Sequence, residues 1–176
     1  MAPKFGGVET HTYQLAQCLI ERGHKVIIIS NMYNFCREGV RYMANGLKVY
    51  HLPLLPVLRN DVSMFALLNI TPVIRHILVR EHVDICHGHL STSITMAMIM
   101  IVAKAIGIKT VVTEHTHFAY NDVGCINLNK MCKWYLKDVD ASICVSHACK
   151  DNFTLRAKIN PYTCFTIPNA VDTNKF

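Results

Sequence analysis

Apolar residues along this chain fall into two rhythms that alternate from one end to the other. From Val8 the positions Val8, Thr12, Leu15, Ala16 and Leu19 recur every three or four residues, the spacing that lines one face of a helix. Glu21 and Arg22 form a polar last turn, with Gly23 where a helix C-terminus accepts a left-handed residue. Lys25 to Ser30 is then a β-branched run without alternation, as in a strand buried on both faces of a parallel sheet.

The same reading continues down the chain. Residues 31–46 are a long loop, Leu47 to Leu52 a second strand closed by Pro53, and Pro56 to Asp61 another loop. Met64 to Ile70 is apolar and helical in spacing; Pro72 lacks the donor a continuing helix needs, so Thr71 is expected to cap a new helix over 72–80. Strands follow at Val83–His87, Lys109–Thr113, Ala141–Val145 and Cys164–Ile167. Helices stand between them at Thr92–Ile106, closed by Gly107, at Ile126–Lys137, and from an N-capping Ser146 to about Ala157. Six strands alternating with helices predict an α/β domain with a doubly wound parallel sheet.

Composition narrows the picture. A chain of 176 residues, 51% hydrophobic and 17% charged, has enough apolar material for a sizeable core and excludes disorder. The net charge of +6 comes from Lys and Arg scattered without a run, which suits phosphates or an anionic surface and disfavours a nucleic-acid groove. Eight cysteines lack any C-x-x-C pair and read as buried free thiols. The longest apolar stretch, Ile94 to Ala103, is too short to span a bilayer.

Three features carry candidate chemistry. Gly6-Gly7-Val8-Glu9 opens the first helix, where a glycine pair at positive φ would let a phosphate approach the free N–H groups of the first turn. His87-Gly88-His89 and His115-Thr116-His117 are placed just past the carboxyl ends of strands. Two such pairs could converge on one metal and serve a metal-dependent hydrolase, or act as loop histidines that hydrogen-bond backbone or ligand. No carboxylate cluster accompanies them, and no metal is expected. Lys130, Lys133 and Lys137 share a helix face beside Trp134, and Arg75, His76 and Arg80 gather on another helix. Either group is a candidate contact for anionic lipid, or a solvated face.

Gly6-Gly7-Val8-Glu9, Gly88-His89, Thr113-Glu114-His115, Val145-Ser146 and Ile167-Pro168-Asn169-Ala170-Val171-Asp172, in that order, resemble the amino-terminal domain of retaining glycosyltransferases of the GT-B fold. Tyr13 to Ile27, Gly46 to Tyr50 with Leu52-Pro53-Leu54, and Ile143 to Ser146 look like those members that place N-acetylglucosamine on phosphatidylinositol, the first step of glycosylphosphatidylinositol-anchor synthesis. The resemblance implies a Rossmann-like, acceptor-side domain over residues 1–168, with 169–176 starting a linker to a donor-binding domain. It implies UDP-N-acetylglucosamine as donor substrate, phosphatidylinositol as acceptor, no cofactor, companion subunits, and a place on the cytoplasmic face of the endoplasmic reticulum membrane.

Residue by residue, the resemblance gives His115 the part of the catalytic cleft histidine near the donor sugar. It makes Gly6, Gly7 and Glu9 the loop that receives acceptor and donor phosphate, and gives substrate contacts to His89, Glu114, Ser146, Asn169 and Asp172. Ala170 departs from the Gly of many relatives. The family's first strand, which should precede Gly6, is expected to be missing, because Met1 to Phe5 is too short and holds Pro3 and Lys4, and its donor domain is expected to be absent from the chain. The chain is therefore expected to be a piece of a longer protein, inactive alone. A GT-B enzyme with another acceptor and a non-catalytic α/β binding module are the alternatives.

Overall fold

The computed structural model describes residues 6–31, 39–53, 56–58, 61–62, 64–117 and 123–170; within 56–58, 61–62 and 64–68 only the backbone is described. The chain divides into two compact units, residues 1–70 and 71–176. Met1 to Phe5, where the family's first strand is expected to be missing, and the linker residues 171–176 lie outside the described residues.

In the first unit, helix α1 (Gly7–Glu21) precedes strand β1 (Ile27–Asn31). Gly23 takes φ +86°, letting Gly23 N–H bond Ile20 O and His24 N–H bond Leu19 O, so the helix closes where the sequence placed its end. β1 pairs in parallel with β3 (Lys48–Leu52), Ile27 opposite Lys48 and Asn31 opposite Leu52. Ala16 of α1, Ile28, Leu47 and Val49 form the buried core, with Ile20, Val26 and Met43 packed against it.

Between β1 and β3 lies a strand that the sequence reading took for loop. Strand β2 (Gly39–Tyr42) runs antiparallel to β3, and all four of its residues are exposed. Such a strand has no buried face to impose alternation; it forms because its backbone satisfies the edge of β3. The loop read over Pro56 to Asp61 instead holds most of a short antiparallel pair, β4 (Pro56–Leu58) and β5 (Asp61–Val62).

A second correction concerns Pro72. One helix, α2 (Met64–Arg80), continues through it. Proline in a helix costs about 3 kcal/mol. Ile70, Ile74, Ile77 and Leu78 are all buried, and each contributes roughly 1.5–3 kcal/mol, so burial outweighs the lost bond.

The second unit is built on a four-stranded, all-parallel sheet in the order β6 (Ile85–His89), β7 (Lys109–Glu114), β8 (Ala141–Cys144), β9 (Cys164–Thr166). The six expected strands are all present, and among the described residues they form two sheets rather than one. Helix α3 (Ile94–Ala105) packs on β6 and β7, and α5 (His147–Ala157) on β8 and β9; α4 (Val123–Tyr135) touches both helices. One face of the sheet is thereby covered by three helices side by side.

Two details fix that layer. Ser93 caps α3 by accepting from Met96 N–H, and Ser146 caps α5 by accepting from Cys149 N–H at 3.1 Å, the cap expected from sequence. Gly88 faces α3 so closely that a Cβ there would lie 2.6 Å from Met96 Cγ. Five cysteines (Cys86, Cys132, Cys144, Cys149 and Cys164) are buried, whereas Cys18 is exposed and Cys125 half-buried. Burial pushes the Cys86 and Cys132 thiols up to about 11, which keeps them protonated and unreactive.

Two outcomes follow from this packing. Gly88→Ala should destabilise the fold by about 1–3 kcal/mol, and Met96→Ala in the same chain should recover part of the loss, read by urea denaturation; equal losses with and without Met96→Ala would exclude the close approach. Asp140 accepts from Thr110 N–H and Oγ1–H, each at 2.9 Å, and pairs with Lys109 at 2.9 Å and Lys104 at 3.2 Å. The Lys109 ammonium and the Thr110 amide hold its carboxyl well below the usual carboxylate range. A depressed folded-state pKa stabilises above the unfolded value of about 3.9 and loses that contribution as pH falls through the folded one. The stability gap between wild type and Asp140→Asn should therefore be full at neutral pH and narrow below about pH 4.

Candidate functional site

In a parallel sheet all strands deliver their carboxyl ends to one edge, where ligands of open α/β folds gather. Here that edge carries His89 at the end of β6, Glu114 at the end of β7 with His115 after it, Ser146 after β8, and Asn169 beyond β9. The structure brings these five expected residues to the same edge of the second unit. Gly6, Gly7 and Glu9 stand at the start of α1 in the first unit. Asp172 lies outside the described residues.

Strand alternation sorts the side chains at this edge. His87 and His89 are two apart on β6, with Gly88 between them turned toward α3, so both imidazoles project from the opposite face. In register, His89 pairs with Thr113, and His115 is two residues further on. His87 Nε2 and Thr113 Oγ1 share a hydrogen bond of 2.7 Å, and His89 Nδ1 faces His115 Nε2 at 3.2 Å. The rings stack as a ladder, with centroids 4.6 Å apart for His87 and His89 and 5.5 Å for His89 and His115. The expectation that His87-Gly88-His89 lies past its strand is corrected, since all three residues belong to β6. His117 is exposed.

The contact between His89 and His115 limits their protonation. One nitrogen must donate and the other accept, so the touching atoms hold one proton between them.

Glu114 alternates the other way, into the helix layer, and is fully buried. Its Oε1 accepts from His115 N–H at 3.0 Å, Thr116 N–H at 3.0 Å and Thr116 Oγ1–H at 2.9 Å. Its Oε2 accepts from Ser91 N–H at 3.0 Å and from the Ser91 hydroxyl. With both oxygens engaged, this carboxylate ties the turn after β6 to the turn after β7 and fixes the backbone that carries His115. The carbonyl of Ser91 is held in turn by the Tyr135 hydroxyl and the Cys132 thiol of α4. Leu90, between His89 and Ser91, takes φ +62°, a left-handed conformation costly for leucine. Leu90 N–H bonds Thr113 O at 3.1 Å and Leu90 O accepts from Ser93 N–H at 2.9 Å, which hold it there.

The sequence reading missed Ser91, Thr113, Thr116 and Tyr135. Ser91 carried a signal only as part of Ser-Thr-Ser ahead of a helix, which reads as capping. The partner 23 residues away is visible only once the strands are in register.

At α1 the geometry revises the argument for glycine. Gly6 has φ −111° and Gly7 is helical, so neither uses the left-handed region. A Cβ at Gly6 would meet only the carboxylate end of Glu9, at 2.3 Å from Oε2, and that flexible side chain can move aside. The Glu9 carboxylate is folded back over the first turn, where negative charge is favoured.

Comparison with known proteins sets these features in context. A family model for Glycosyltransferase Family 4 matches residues 5–175. The chain is 47% identical over 174 residues to a Homo sapiens subunit of phosphatidylinositol N-acetylglucosaminyltransferase, covering 99% of this chain and 36% of that protein. It is 42% identical over 174 residues to the Arabidopsis thaliana protein of the same name and to the gpi3 subunit of Schizosaccharomyces pombe, in each case covering 99% of this chain and 38% of the relative. The chain thus spans little more than a third of these relatives.

Among solved structures it resembles a glycosyltransferase from Rickettsia africae, with TM-score 0.68 and 22% identity over 98% of this chain and 42% of that one. It also resembles sucrose-phosphate synthase from Thermosynechococcus elongatus, with TM-score 0.69 and 13% identity over 97% and 44% of the two chains. At these identities the likeness is one of fold.

Because Glu114 holds five donors, Glu114→Gln should lower stability by roughly 2–4 kcal/mol by turning one acceptor into a misplaced donor. Amide exchange at Ser91, His115 and Thr116 should accelerate in the same variant. Unchanged exchange at all three would show that the carboxylate does not hold these turns.

Proposed function

The chain belongs to glycosyltransferase family 4, and from that premise we propose that it is the acceptor-side part of an enzyme that transfers N-acetylglucosamine from UDP-N-acetylglucosamine to phosphatidylinositol. The observation that carries this reading is the 40–47% identity, along 99% of the chain, to relatives bearing that activity in their names. Those names call each relative a subunit, so companion subunits are part of the proposal. So is a position on the cytoplasmic face of the endoplasmic reticulum membrane, where a lipid acceptor is met. Neither a cofactor nor a metal is needed by the reaction proposed.

The roles proposed for the site residues come from the family resemblance, and the geometry of each site, taken separately, supports them. His115, oriented by His89 and by the turn that Glu114 fixes, would hydrogen-bond the donor sugar near the reacting carbon and orient it. His89 supports that imidazole directly. Ser146 and Asn169, at the neighbouring strand ends, would contact substrate. Glu114 would act through His115 and Thr116, being wholly engaged. The first turn of α1 would receive phosphate once the Glu9 carboxylate swings away from Gly6, because the two anions compete for the same N–H groups. A member of the family with a different acceptor is the second reading, since the acceptor is the part of the reaction that a shared fold leaves free.

The test uses a longer protein that carries this chain together with the donor-binding part present in its relatives. Radiolabelled sugar should pass from UDP-N-acetylglucosamine to phosphatidylinositol. His115→Ala should lower turnover roughly a hundredfold or more while shifting the melting temperature little. Transfer to another lipid but not to phosphatidylinositol would refute the acceptor, and near-normal turnover by the variant would refute the role of His115.

A further inference from the structure

The inward side of α4 is conventional: Asn129, Cys132 and, one residue past the helix, Leu136 are buried. Its outward side is not. Val123 is 73% exposed, Ile126 39% and Trp134 70%, and between them stand Lys130, exposed, and Lys133, half-buried, with Lys137 exposed in the turn that follows. Positions 123, 126, 130, 134 and 137 recur every three or four residues and make one stripe. Leu136 N–H still bonds Cys132 O at 3.0 Å, so the helical path reaches the end of it. Within Val123–Tyr135 there is no Asp or Glu.

A solvated helix face mixes both signs of charge and carries few large apolar residues. This one carries three lysines against the single exposed Asp138 in the turn that follows, together with three large apolar side chains, the make-up of a helix lying in a membrane interface. Two occupants compete for an exposed apolar stripe, and charge separates them. A second copy of this chain brings a net charge of +6 and the same lysines, so pairing α4 with α4 sets like charges together. A sheet of anionic headgroups offers compensating charge along the whole helix, about 20 Å for its 13 residues.

We propose that the outer face of α4 is a docking surface for an anionic lipid bilayer, Val123, Ile126 and Trp134 entering the headgroup layer and Lys130, Lys133 and Lys137 meeting lipid phosphates. The choice of lipid draws on the lipid acceptor proposed above; the make-up of the face does not. Among the described residues no helix is long and apolar enough to cross a membrane, and the contact inferred is along the surface.

Trp134 is the only tryptophan of the chain, so its fluorescence reports this face alone. The chain is titrated with vesicles of phosphatidylcholine, of phosphatidylcholine with about 30 mol% phosphatidylinositol, and of phosphatidylcholine with the same share of phosphatidylglycerol. The expected result is a blue shift and co-sedimentation with both anionic vesicles, little with the neutral one, and reversal by high salt. Replacing Lys130, Lys133 and Lys137 by Gln should weaken partitioning by roughly fivefold per lysine, about a hundredfold together, with unchanged circular dichroism.

Absence of a shift on anionic vesicles, or a shift that survives the triple replacement, would overturn the proposal. So would a blue shift that grows with protein concentration in the absence of lipid, which means self-association. Sugar transfer to detergent-dispersed phosphatidylinositol by the longer protein separates this inference from the function. Transfer without vesicle binding rejects the α4 surface alone, and vesicle binding without transfer rejects the function alone.

Discussion

A carboxylate with no exposure to solvent is expensive unless its oxygens are fully engaged, and Glu114 meets that condition with five donors from two turns. The edge of the four-stranded sheet depends on this arrangement. Neither turn could satisfy Glu114 alone, because Ser91 supplies two donors and His115 and Thr116 supply three. Burying the charge therefore requires that β6 and β7 end together in one register. An apolar residue here would tolerate slippage of either turn; the carboxylate does not.

The same constraint reaches the histidine ladder. Alternation sends Glu114 into the helices and His115 to the opposite face, so the residue that fixes the backbone is kept apart from the residue proposed to meet the sugar. Leu90 adopts a costly left-handed backbone in joining His89 to Ser91 within one residue, and the hydrogen bonds of its N–H and C=O offset part of that cost. His89 and His115 then meet as a consequence of register, since residues two apart on paired strands share a face.

Much of this was legible in the sequence where one local cause decides. The β-branched runs at Ile27 and Val111, the glycine stop at Gly23 and the serine cap at Ser146 each follow from their own neighbourhood, and each stands where it was read. Features decided by distant partners were not legible. β2 has no buried face and exists through β3; α2 passes Pro72 because four buried aliphatic residues outweigh one missing donor. The glycine pair was placed correctly at the head of α1, but not for the reason given, since neither glycine adopts positive φ. At the candidate site, His89, Glu114 and His115 were picked out by resemblance. That Glu114 meets Ser91 while His115 meets His89 emerges only from the pairing of β6 with β7.

The helix layer answers to two solvents at once. On its inner side Cys132 and Tyr135 of α4 hold Ser91, and through Ser91 the carboxylate of Glu114. On its outer side the same helix exposes Trp134, which adjoins Tyr135 in sequence. Any force that shifts α4 along its axis therefore acts on the hydrogen bonds to Ser91, because a hydroxyl bond tolerates only a few tenths of an ångström before it weakens. Tyr135 and Cys132 of α4 thus meet, at the Ser91 carbonyl, the same residue whose N–H and hydroxyl hold the carboxylate under the turn that carries His115.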